Sequence, residues 1–296
     1  MKERLYRSLL YVPGHRGDLL AKSLKGEADI IVLDLEDSVP AEHKDEARRN
    51  IGLIQGEVKA AGKVLAVRIN SLPEMIVTDI ESIVSCGVDT IVVPKVDEEG
   101  QIHQLVGHLA TSLGDSSKSM AIVAMIESPK GLHNAKTIAA SHPWVKALNL
   151  GTEDFALEMG MEPSWDSLLY PSQQVLLAAK AAGKLALGYS GSIAEFRNID
   201  LFTSIVERSA KLGFDGGFAI HPKQIGPLNS AFSPKKTEIE LAHKIVVAFE
   251  EALQRGDGAV NVEGKMVDRP VAIRAQVMLD KAQQIAQRNQ QHDLVS

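Results

Sequence analysis

Two carboxylates stand at corresponding places in neighbouring parts of this 296-residue chain. Glu127 follows the apolar run AIVAMI, and Asp154 follows the next apolar run, ALNL, across the turn Gly151-Thr152-Glu153. If both runs are adjacent parallel strands, the two carboxylates emerge at the same rim of the sheet. No lysine or arginine adjoins either carboxylate, so we expect a cation to neutralise them.

The types of the candidate ligands favour magnesium. Carboxylate oxygens suit hard divalent cations, and the chain has no Cys/His cluster of the kind that binds zinc. Magnesium sites in proteins often use one or two carboxylates and complete the shell with water. We therefore predict that Glu127 and Asp154 bind Mg²⁺, with Mn²⁺ as a possible substitute. For each carboxylate taken alone, capping of the following helix is an equally good interpretation.

The elements that must position this pair form a repeating pattern of strand then helix. Eight short apolar runs, each followed by a helical segment, are expected at residues 8–12, 29–35, 64–69, 90–93, 121–126, 145–150, 185–189 and 217–220. Such alternation predicts an α/β protein with a parallel sheet. The count of eight and the length favour a closed (β/α)₈ TIM barrel. The first strand is not followed by a GxGxxG fingerprint, which counts against a doubly wound sheet.

The pattern changes after the eighth unit. We assign residues 1–255 to the barrel and residues 256–296 to a C-terminal helical lid or arm, joined by the glycine-rich polar loop Gly256–Gly264. In a barrel of this kind the active site lies at the carboxyl ends of the strands. These ends carry further charged side chains: Glu36, Asp37, Arg68 and Lys95. Arg68 offsets part of the acidic charge, and a divalent cation would offset the rest.

The turn Gly151-Thr152-Glu153 has a second potential role. Its backbone N–H groups could bind an anion, such as a substrate carboxylate that also chelates the metal. An ordinary strand–helix loop fits the same local sequence equally well.

Composition narrows the function classes. The net charge of −6 argues against a surface that tracks nucleic-acid phosphates. Cys86 is the only cysteine, which excludes an internal disulfide and fits a reducing cytoplasm. The sequence has no apolar stretch of the roughly 18–20 residues that a membrane span needs. We therefore expect a cytoplasmic protein without membrane or nucleic-acid partners.

A series of motifs carries a family resemblance over nearly the whole chain. In order, they are RSLLYVPGHR, ADIIVLDLEDSVP, VRINS, VVPKV, IESPKGL, LGTEDFALEMG, LGFDGGFAIHP and GKMVDRP. Together they resemble the citrate lyase β-subunit-like (CitE-like) family of the HpcH/HpaI aldolase superfamily, near the malyl-CoA and citramalyl-CoA lyases. The resemblance implies a barrel of the pyruvate/phosphoenolpyruvate type. It also implies an oxo-acid lyase that cleaves a 3-hydroxyacyl-CoA thioester to acetyl-CoA and an oxo acid.

The same resemblance assigns roles to individual residues. Glu127 and Asp154 match the family's Mg²⁺ ligands, and Arg68 matches its substrate-facing arginine. Glu36 and Asp37 match acids that bond metal-bound water and that arginine. Arg16 and Lys22 match basic positions that meet CoA phosphates. Asp268 matches the acid of a C-terminal arm that reaches a neighbouring subunit, and trimers or hexamers are the usual assembly.

Three positions depart from the family pattern. Ser172, Gly188 and Gly217 stand where relatives usually have Arg, Asp and Lys. One interpretation is the joint loss of a structural ion network, which can be nearly neutral. The other is a reshaped pocket with a different acyl or oxo-acid specificity.

Two rival functions remain beside the lyase. The same site could condense acetyl-CoA with an oxo acid, as malate synthases and acetyltransferases do, or could hydrolyse the thioester. Alternatively, the chain could be a citrate lyase β subunit that acts on a carrier-protein thioester. The oxo acid, its stereochemistry and the number of subunits do not follow from the sequence.

Overall fold

The computed structural model describes residues 5–114 and 119–293 and confirms the predicted (β/α)₈ barrel. The eight apolar runs all form strands of one sheet. They are β1 (Ser8–Pro13), β2 (Ile30–Asp34), β3 (Val64–Arg68), β4 (Thr90–Val93), β5 (Ala121–Ile126), β6 (Val145–Leu150), β7 (Leu185–Leu187) and β8 (Gly217–Ala219). All neighbours in the sheet are parallel, in the order β7-β6-β5-β4-β3-β2-β1-β8. The carboxyl ends of all eight strands therefore meet at one rim.

The helices alternate with the strands along the chain. They are α1 (Gly17–Ser23), α2 (Lys44–Ala60), α3 (Pro73–Ser85), α4 (Glu99–Leu113), α5 (Pro129–Ala140), α6 (Thr152–Met159), α7 (Trp165–Ala181), α8 (Ile199–Leu212), α9 (Ile225–Ala231), α10 (Lys236–Gln254) and α11 (Arg269–Asp293). Short 3₁₀ turns at Ala41–His43 and Pro222–Gln224 precede α2 and α9.

The first and last strands of the sheet order meet at a narrow seam. Leu187 and Gly216 form an isolated parallel bridge, and the Gly188 N–H donates to the Gly216 carbonyl at 2.8 Å. A side chain at Gly216 would collide with the backbone, because its Cβ would lie 1.6 Å from the Tyr6 carbonyl oxygen. Glycine at this position therefore lets the chain pass close enough for the barrel to close.

The core has two layers, as a filled barrel requires. Side chains such as Leu9, Val32, Val123 and Phe218 fill the interior, and they are almost fully buried. A larger apolar layer lies between the strands and the surrounding helices. The strands are buried on both faces, which explains their continuous apolar runs.

One helix begins earlier than the sequence pattern indicates. The turn after β6 is the start of α6, so Thr152, Glu153 and Asp154 lie in the first turn of a helix. Residues 193–198 form a loop before α8. Residues of the first turn of α6 and of the loop 193–198 line the cavity of the candidate site.

The C-terminal unit corrects another expectation. The glycine-rich segment Gly256–Gly264 was predicted to be a polar loop, and this is wrong for part of it. Residues Ala259–Val262 form β9, which pairs antiparallel with β10 (Lys265–Asp268). Glu263 and Gly264 have φ angles of 48° and 81°, which suit a tight hairpin turn. The alternating Val260 and Val262 supply an apolar side that the glycines obscured in the sequence.

The described chain divides into two compact units, Tyr6–Phe232 and the part from Ser233 onward together with Leu5. The division falls before α10, whereas the sequence analysis placed the boundary after residue 255. In the C-terminal unit α10 packs on α11 and the hairpin, and Phe249, Val267 and Ala272 form a small buried cluster. The role of residues 256–296 as a lid or arm stays a prediction.

Among the described residues, none of the helices combines the length and apolar character that a membrane crossing requires.

Candidate active site

The predicted carboxylate pair lies at one cavity of the barrel rim. Ile126 and Leu150 are register partners in β5 and β6, so the next residues, Glu127 and Gly151, also lie side by side. Asp154 lies in the first turn of α6. Both Glu127 and Asp154 line a cavity of about 430 Å³. The structure thus brings together the two side chains that the strand pattern placed at one edge.

Glu127 is a buried carboxylate held in a tight cradle. Its side chain is close to fully buried, and its Oε2 accepts a 2.6 Å hydrogen bond from the Lys95 backbone N–H. On the other side, a Cβ at Gly151 would lie 2.5 Å from the Glu127 Cγ and Oε1. Burial, reinforced by the charges of Glu36 and Asp154, raises the pKa of Glu127 to about 7. A cation next to Glu127 would favour the charged carboxylate and so offset the effect of burial on its pKa.

Arg68, at the end of β3, is held by three acids of β2 and the loop after it. Its Nε and Nη2 donate to the two carboxylate oxygens of Asp34 at 2.7 and 2.8 Å. Its Nη1 lies 3.2 Å from Asp37 Oδ2 and 3.1 Å from Glu36 Oε2. The guanidinium also stacks over the Tyr11 ring, with 4.8 Å between Cζ and the ring centroid. Arg68 therefore reaches the cavity as a fully oriented cation.

The sequence analysis did not identify Asp34. It is the last residue of β2 and the register partner of Arg68 in β3. Burial would raise the pKa of Asp34, but the hydrogen bonds and charge of Arg68 outweigh burial and hold it below its ordinary value. An acid inside the otherwise apolar run IIVLD was the available signal, because such a buried charge needs a partner.

Glu36 carries the least satisfied charge of this group. Neither of its buried oxygens accepts a well-aligned hydrogen bond from the described residues, although Glu36 is ion-paired to Arg68 and, at 3.7 Å, to the Lys95 ammonium. Burial raises its pKa, and the neighbouring Asp37 adds to the effect. Unsatisfied acceptor capacity next to Arg68, which lines the cavity, suits a hydrogen bond from metal-bound water.

The donor set fits a magnesium ion. The described residues contain no group of three or more His, Cys, Asp or Glu side chains arranged to hold a metal ion. The two predicted ligands, Glu127 and Asp154, would leave the rest of the coordination shell to water. That number matches the usual magnesium site and falls short of a structural zinc site.

The remaining predicted residues lie at three separate places. Thr152 and Glu153 line the same cavity as Glu127, and Glu153 Oε1 accepts a 2.6 Å hydrogen bond from the Ser192 hydroxyl. Arg16 and Lys22 are exposed at α1, where both pair with Asp18. Lys22 lines a smaller cavity of about 230 Å³ between α1 and α9.

Asp268 lies in the C-terminal unit. It immediately precedes α11, and its Oδ1 accepts a 3.3 Å hydrogen bond from the Val271 N–H. This is the geometry of a helix N-cap. The role that the resemblance implies for Asp268 stays a prediction.

An apolar wall forms another part of the lining of this cavity. It consists of Met125, Ile193, Phe218 and Ile220, with Tyr11 beside Phe218 at a centroid distance of 5.0 Å. Ile193 comes from the loop before α8, outside the strand ends that the sequence pattern identifies.

The three departures from the family pattern lie near the barrel seam. Gly188 has a φ of 133° and lies against Asn149. A Cβ at Gly217 would lie 2.9 Å from the Tyr189 ring, so that ring occupies the space a side chain at position 217 would need. The Ser172 hydroxyl is buried and has no hydrogen-bond partner among the described residues. Gly188 lines the cavity, and so does Tyr189, whose ring lies beside Gly217. Two of the three departures therefore affect the shape of the cavity.

Comparison with known proteins gives a consistent result. The family model described as HpcH/HpaI aldolase/citrate lyase matches residues 7–222. Citrate lyase subunit beta of Leuconostoc mesenteroides subsp. cremoris is 33% identical over 286 residues, covering 95% of this chain and 94% of the relative. A (3S)-malyl-CoA thioesterase of Cereibacter sphaeroides is 34% identical over 284 residues, covering 95% of this chain and 96% of the relative. An L-malyl-CoA/beta-methylmalyl-CoA lyase of the same species is 32% identical over 305 residues, with 95% of each chain covered.

A solved structure extends the similarity to three dimensions. Protein CitE of Mycobacterium tuberculosis, in complex with magnesium, acetoacetate and coenzyme A, superposes with a TM-score of 0.74 at 26% identity. The match covers 94% of this chain and 98% of that one.

Proposed function

The chain belongs to the HpcH/HpaI aldolase/citrate lyase family of carbon–carbon lyases, and we propose that it cleaves a 3-hydroxyacyl-CoA thioester to acetyl-CoA and an oxo acid in a magnesium-dependent reaction. The observation that carries the proposal is the buried Glu127, paired with Asp154 at a cavity that Arg68 also lines. The related CitE structure with magnesium and coenzyme A supports the choice of cofactor and of thioester.

Glu127 and Asp154 would hold the divalent cation, and Mn²⁺ would substitute for Mg²⁺. Bound there, the cation would supply Lewis-acid polarisation and a template for the oxo-acid half of the substrate. Glu36 and Asp37 would accept hydrogen bonds from water at the site while keeping Arg68 in place. The first-turn N–H groups of α6, at Thr152 and Glu153, have no intrahelical acceptors and are available to a substrate carboxylate.

The chemical step is a retro-Claisen cleavage. The 3-hydroxyl loses its proton to water, the C2–C3 bond breaks, the oxo acid gains a carbonyl group, and the acetyl half leaves as a thioester enolate. Arg68 stabilises the oxyanion charge that develops in this step. Asp268 delivers a proton to the enolate carbon, which completes acetyl-CoA.

The cavity favours an oxo acid with a small or apolar substituent. The apolar wall of the cavity, Met125, Ile193, Phe218 and Ile220, offers no charge to a second carboxylate. Arg68 is already engaged by three acids. Citramalyl-CoA, which releases pyruvate, and malyl-CoA, which releases glyoxylate, are therefore the leading substrates. A citryl thioester would place a further carboxylate against the wall.

Arg16 and Lys22 would bind the phosphates of coenzyme A. Both side chains are exposed, and their partner Asp18 is exposed too, so an incoming phosphate can replace it at small cost.

The assembly follows from the proposed role of Asp268. We propose a homo-oligomer, a trimer or hexamer, in which the C-terminal arm reaches the site of a neighbouring subunit.

Two alternatives are each favoured by a relative. Similarity to a (3S)-malyl-CoA thioesterase favours hydrolysis of the thioester, and net condensation of acetyl-CoA with an oxo acid would end in the same release of free CoA. Similarity to citrate lyase subunit beta favours action on a carrier-protein thioester within a larger complex.

A panel of acyl-CoA thioesters, incubated with the purified chain and Mg²⁺, tests the proposal. Mass spectrometry should detect acetyl-CoA together with pyruvate or glyoxylate, and EDTA or Glu127→Ala should abolish both products. Glu158→Ala, an exposed position on the same α6 as Asp154, serves as a control with unchanged turnover. Free CoA as the main product would favour the thioesterase or synthase, and activity only with a carrier-bound thioester would favour the lyase subunit. Full turnover in EDTA would contradict the metal-dependent mechanism.

A further inference from the structure

Lys95 adopts a backbone conformation that ordinarily belongs to glycine. Its φ is 52°, in the left-handed region, whereas non-glycine residues rarely adopt positive φ. Two hydrogen bonds hold it there: its N–H donates to Glu127 Oε2 at 2.6 Å, and its carbonyl accepts from the Gln101 side chain at 3.1 Å. Glycine would make the same two backbone contacts without strain. The lysine side chain therefore has to contribute something that glycine would lack.

The Lys95 ammonium faces the acids of the site. Its Nζ lies 3.7 Å from Glu36 Oε1. Partial burial opposes its charge, but Glu36, Asp37, Asp154 and Glu127 outweigh this and raise the pKa of Lys95. The ammonium thus pairs with Glu36, while the backbone of the same residue contacts Glu127, one of the two predicted metal ligands.

Arg68 and Lys95 are held very differently. Arg68 is buried and fixed by the paired hydrogen bonds to Asp34. The Lys95 side chain is 47% exposed, and the 3.7 Å contact to Glu36 is longer than a hydrogen bond. A flexible lysine with one loose ion pair can leave its position at small cost, whereas a buried bidentate arginine cannot.

We propose that Lys95 is a displaceable counter-cation of the metal site: its ammonium neutralises the carboxylates in the metal-free protein and weakens the binding of the divalent cation that replaces it. The proposal rests on the metal site proposed above. An anionic substrate would compensate the repulsion between the two cations. The metal and the oxo acid should therefore bind cooperatively, and each should raise the affinity of the other by the same factor.

Mn²⁺ binding to the full-length protein, followed by electron paramagnetic resonance at low ionic strength, tests the proposal without any turnover. Lys95→Met removes the charge and should strengthen Mn²⁺ binding about fivefold, the order of magnitude expected when one nearby positive charge is removed from the field of a divalent cation in a water-like dielectric. Lys95→Arg keeps the charge and should stay within about twofold of the wild type. The gain in Lys95→Met should shrink in about 0.5 M salt, because salt screens exposed charges.

Two further variants separate charge from backbone effects. Lys95→Gly removes both the charge and the strain, and it should match Lys95→Met if the charge alone is responsible. Lys136→Met removes an exposed lysine of α5 and should leave Mn²⁺ affinity unchanged. Added pyruvate should raise the Mn²⁺ affinity of the wild type more than that of Lys95→Met.

The outcomes distinguish this inference from the function on which it rests. If the folded wild type does not bind Mn²⁺, the metal site itself is wrong. If the wild type binds Mn²⁺ but Lys95→Met binds it equally or less tightly, the metal site stands and the counter-cation role is wrong. Equal cooperativity with pyruvate in both proteins would also overturn that role.

Discussion

Arg68 and Asp34 form a bidentate pair between neighbouring strands, with hydrogen bonds of 2.7 and 2.8 Å. The pair lies where β2 and β3 end, and both side chains are almost fully buried. It directs Nη1 of the guanidinium toward Glu36 and Asp37, with which this nitrogen pairs. The orientation of the proposed oxyanion-stabilising group thus depends on an acid that the substrate itself need not contact.

Removing the charge of Asp34 should therefore damage both stability and activity. In Asp34→Asn the buried guanidinium loses its main counter-charge, and the free energy of unfolding should fall by about 3 kcal/mol. Turnover should fall by at least about tenfold, because a misdirected Arg68 stabilises the oxyanion less well. Urea unfolding and steady-state kinetics measure the two effects.

Asp45 provides a matched control for Asp34. It also pairs with an arginine, Arg48, but its side chain is 80% exposed. Asp45→Asn should change stability by less than about 1 kcal/mol. Similar losses of stability in both variants would mean that the buried Arg68–Asp34 pair stabilises the fold no more than the exposed Arg48–Asp45 pair does.

The stability of the metal-free protein should depend on pH through Glu127. The folded state holds the proton up to a pKa of about 7, whereas the unfolded chain releases it near the ordinary value of 4.5. Between these values the folded state binds more protons, so stability falls as pH rises. Glu127→Gln avoids this loss, and above pH 7 it should be more stable than the metal-free wild type by about 3 kcal/mol.

Thermal or urea unfolding at pH 4.5 and pH 8, in EDTA, measures this difference. The two proteins should differ little at pH 4.5, where Glu127 is protonated in the folded state and about half protonated in the unfolded chain. Saturating Mg²⁺ at pH 8 should stabilise the wild type and leave Glu127→Gln unchanged. Glu158→Gln, at an exposed position, should follow the wild type throughout. A constant difference at all pH values would contradict the assigned protonation.

The carboxylate position should also depend on the absence of a side chain at Gly151. In Gly151→Ala the new methyl group would lie 2.5 Å from Glu127 Oε1, so the carboxylate must move. Metal affinity should fall about 10–100-fold, the range expected when the support of a ligand is lost. Mn²⁺ titration measures the effect. Gly107→Ala, in the middle of α4 with open space around it, should keep full metal affinity.

Strand periodicity predicted the frame and the positions of the acids because these depend on simple rules. Runs such as Ile122–Ile126 are apolar because parallel strands are buried on both faces, and a parallel sheet puts all carboxyl ends at one rim. Glu127 and Asp154 line one cavity for that reason. The location of Arg68 beside acids of β2 follows from the same rule.

Other features depend on contacts that one sequence does not reveal. Asp34 lay inside an apolar run, and only the register between β2 and β3 identifies Arg68 as its partner. The left-handed φ of Lys95 is accompanied by hydrogen bonds to Gln101 and to Glu127, and the Glu127 contact joins parts of the chain that are distant in sequence. The hairpin at β9 and β10 was obscured by glycines, although its turn residues Glu263-Gly264 suit one.

Asp268 allows a test that separates a structural role from a chemical one. Its carboxylate accepts the Val271 N–H at the start of α11, and asparagine caps helices equally well. Asp268→Asn should therefore keep the stability of the wild type, whereas Asp268→Ala should lose about 1 kcal/mol. If Asp268 transfers the proton, both variants should lose turnover about 10²–10⁴-fold and should no longer exchange the methyl protons of acetyl-CoA with deuterated water.

The same variant tests whether the arm serves a neighbouring subunit. Asp268→Asn and Glu127→Ala each disable a different part of the site. Mixed oligomers of the two should regain part of the activity if Asp268 of one subunit completes the Glu127 site of another, since some sites would then combine two intact parts. Mixed oligomers that form, as mass spectrometry can verify, yet remain inactive would place Asp268 in the site of its own subunit. Full activity of Asp268→Asn would instead leave helix capping as its role.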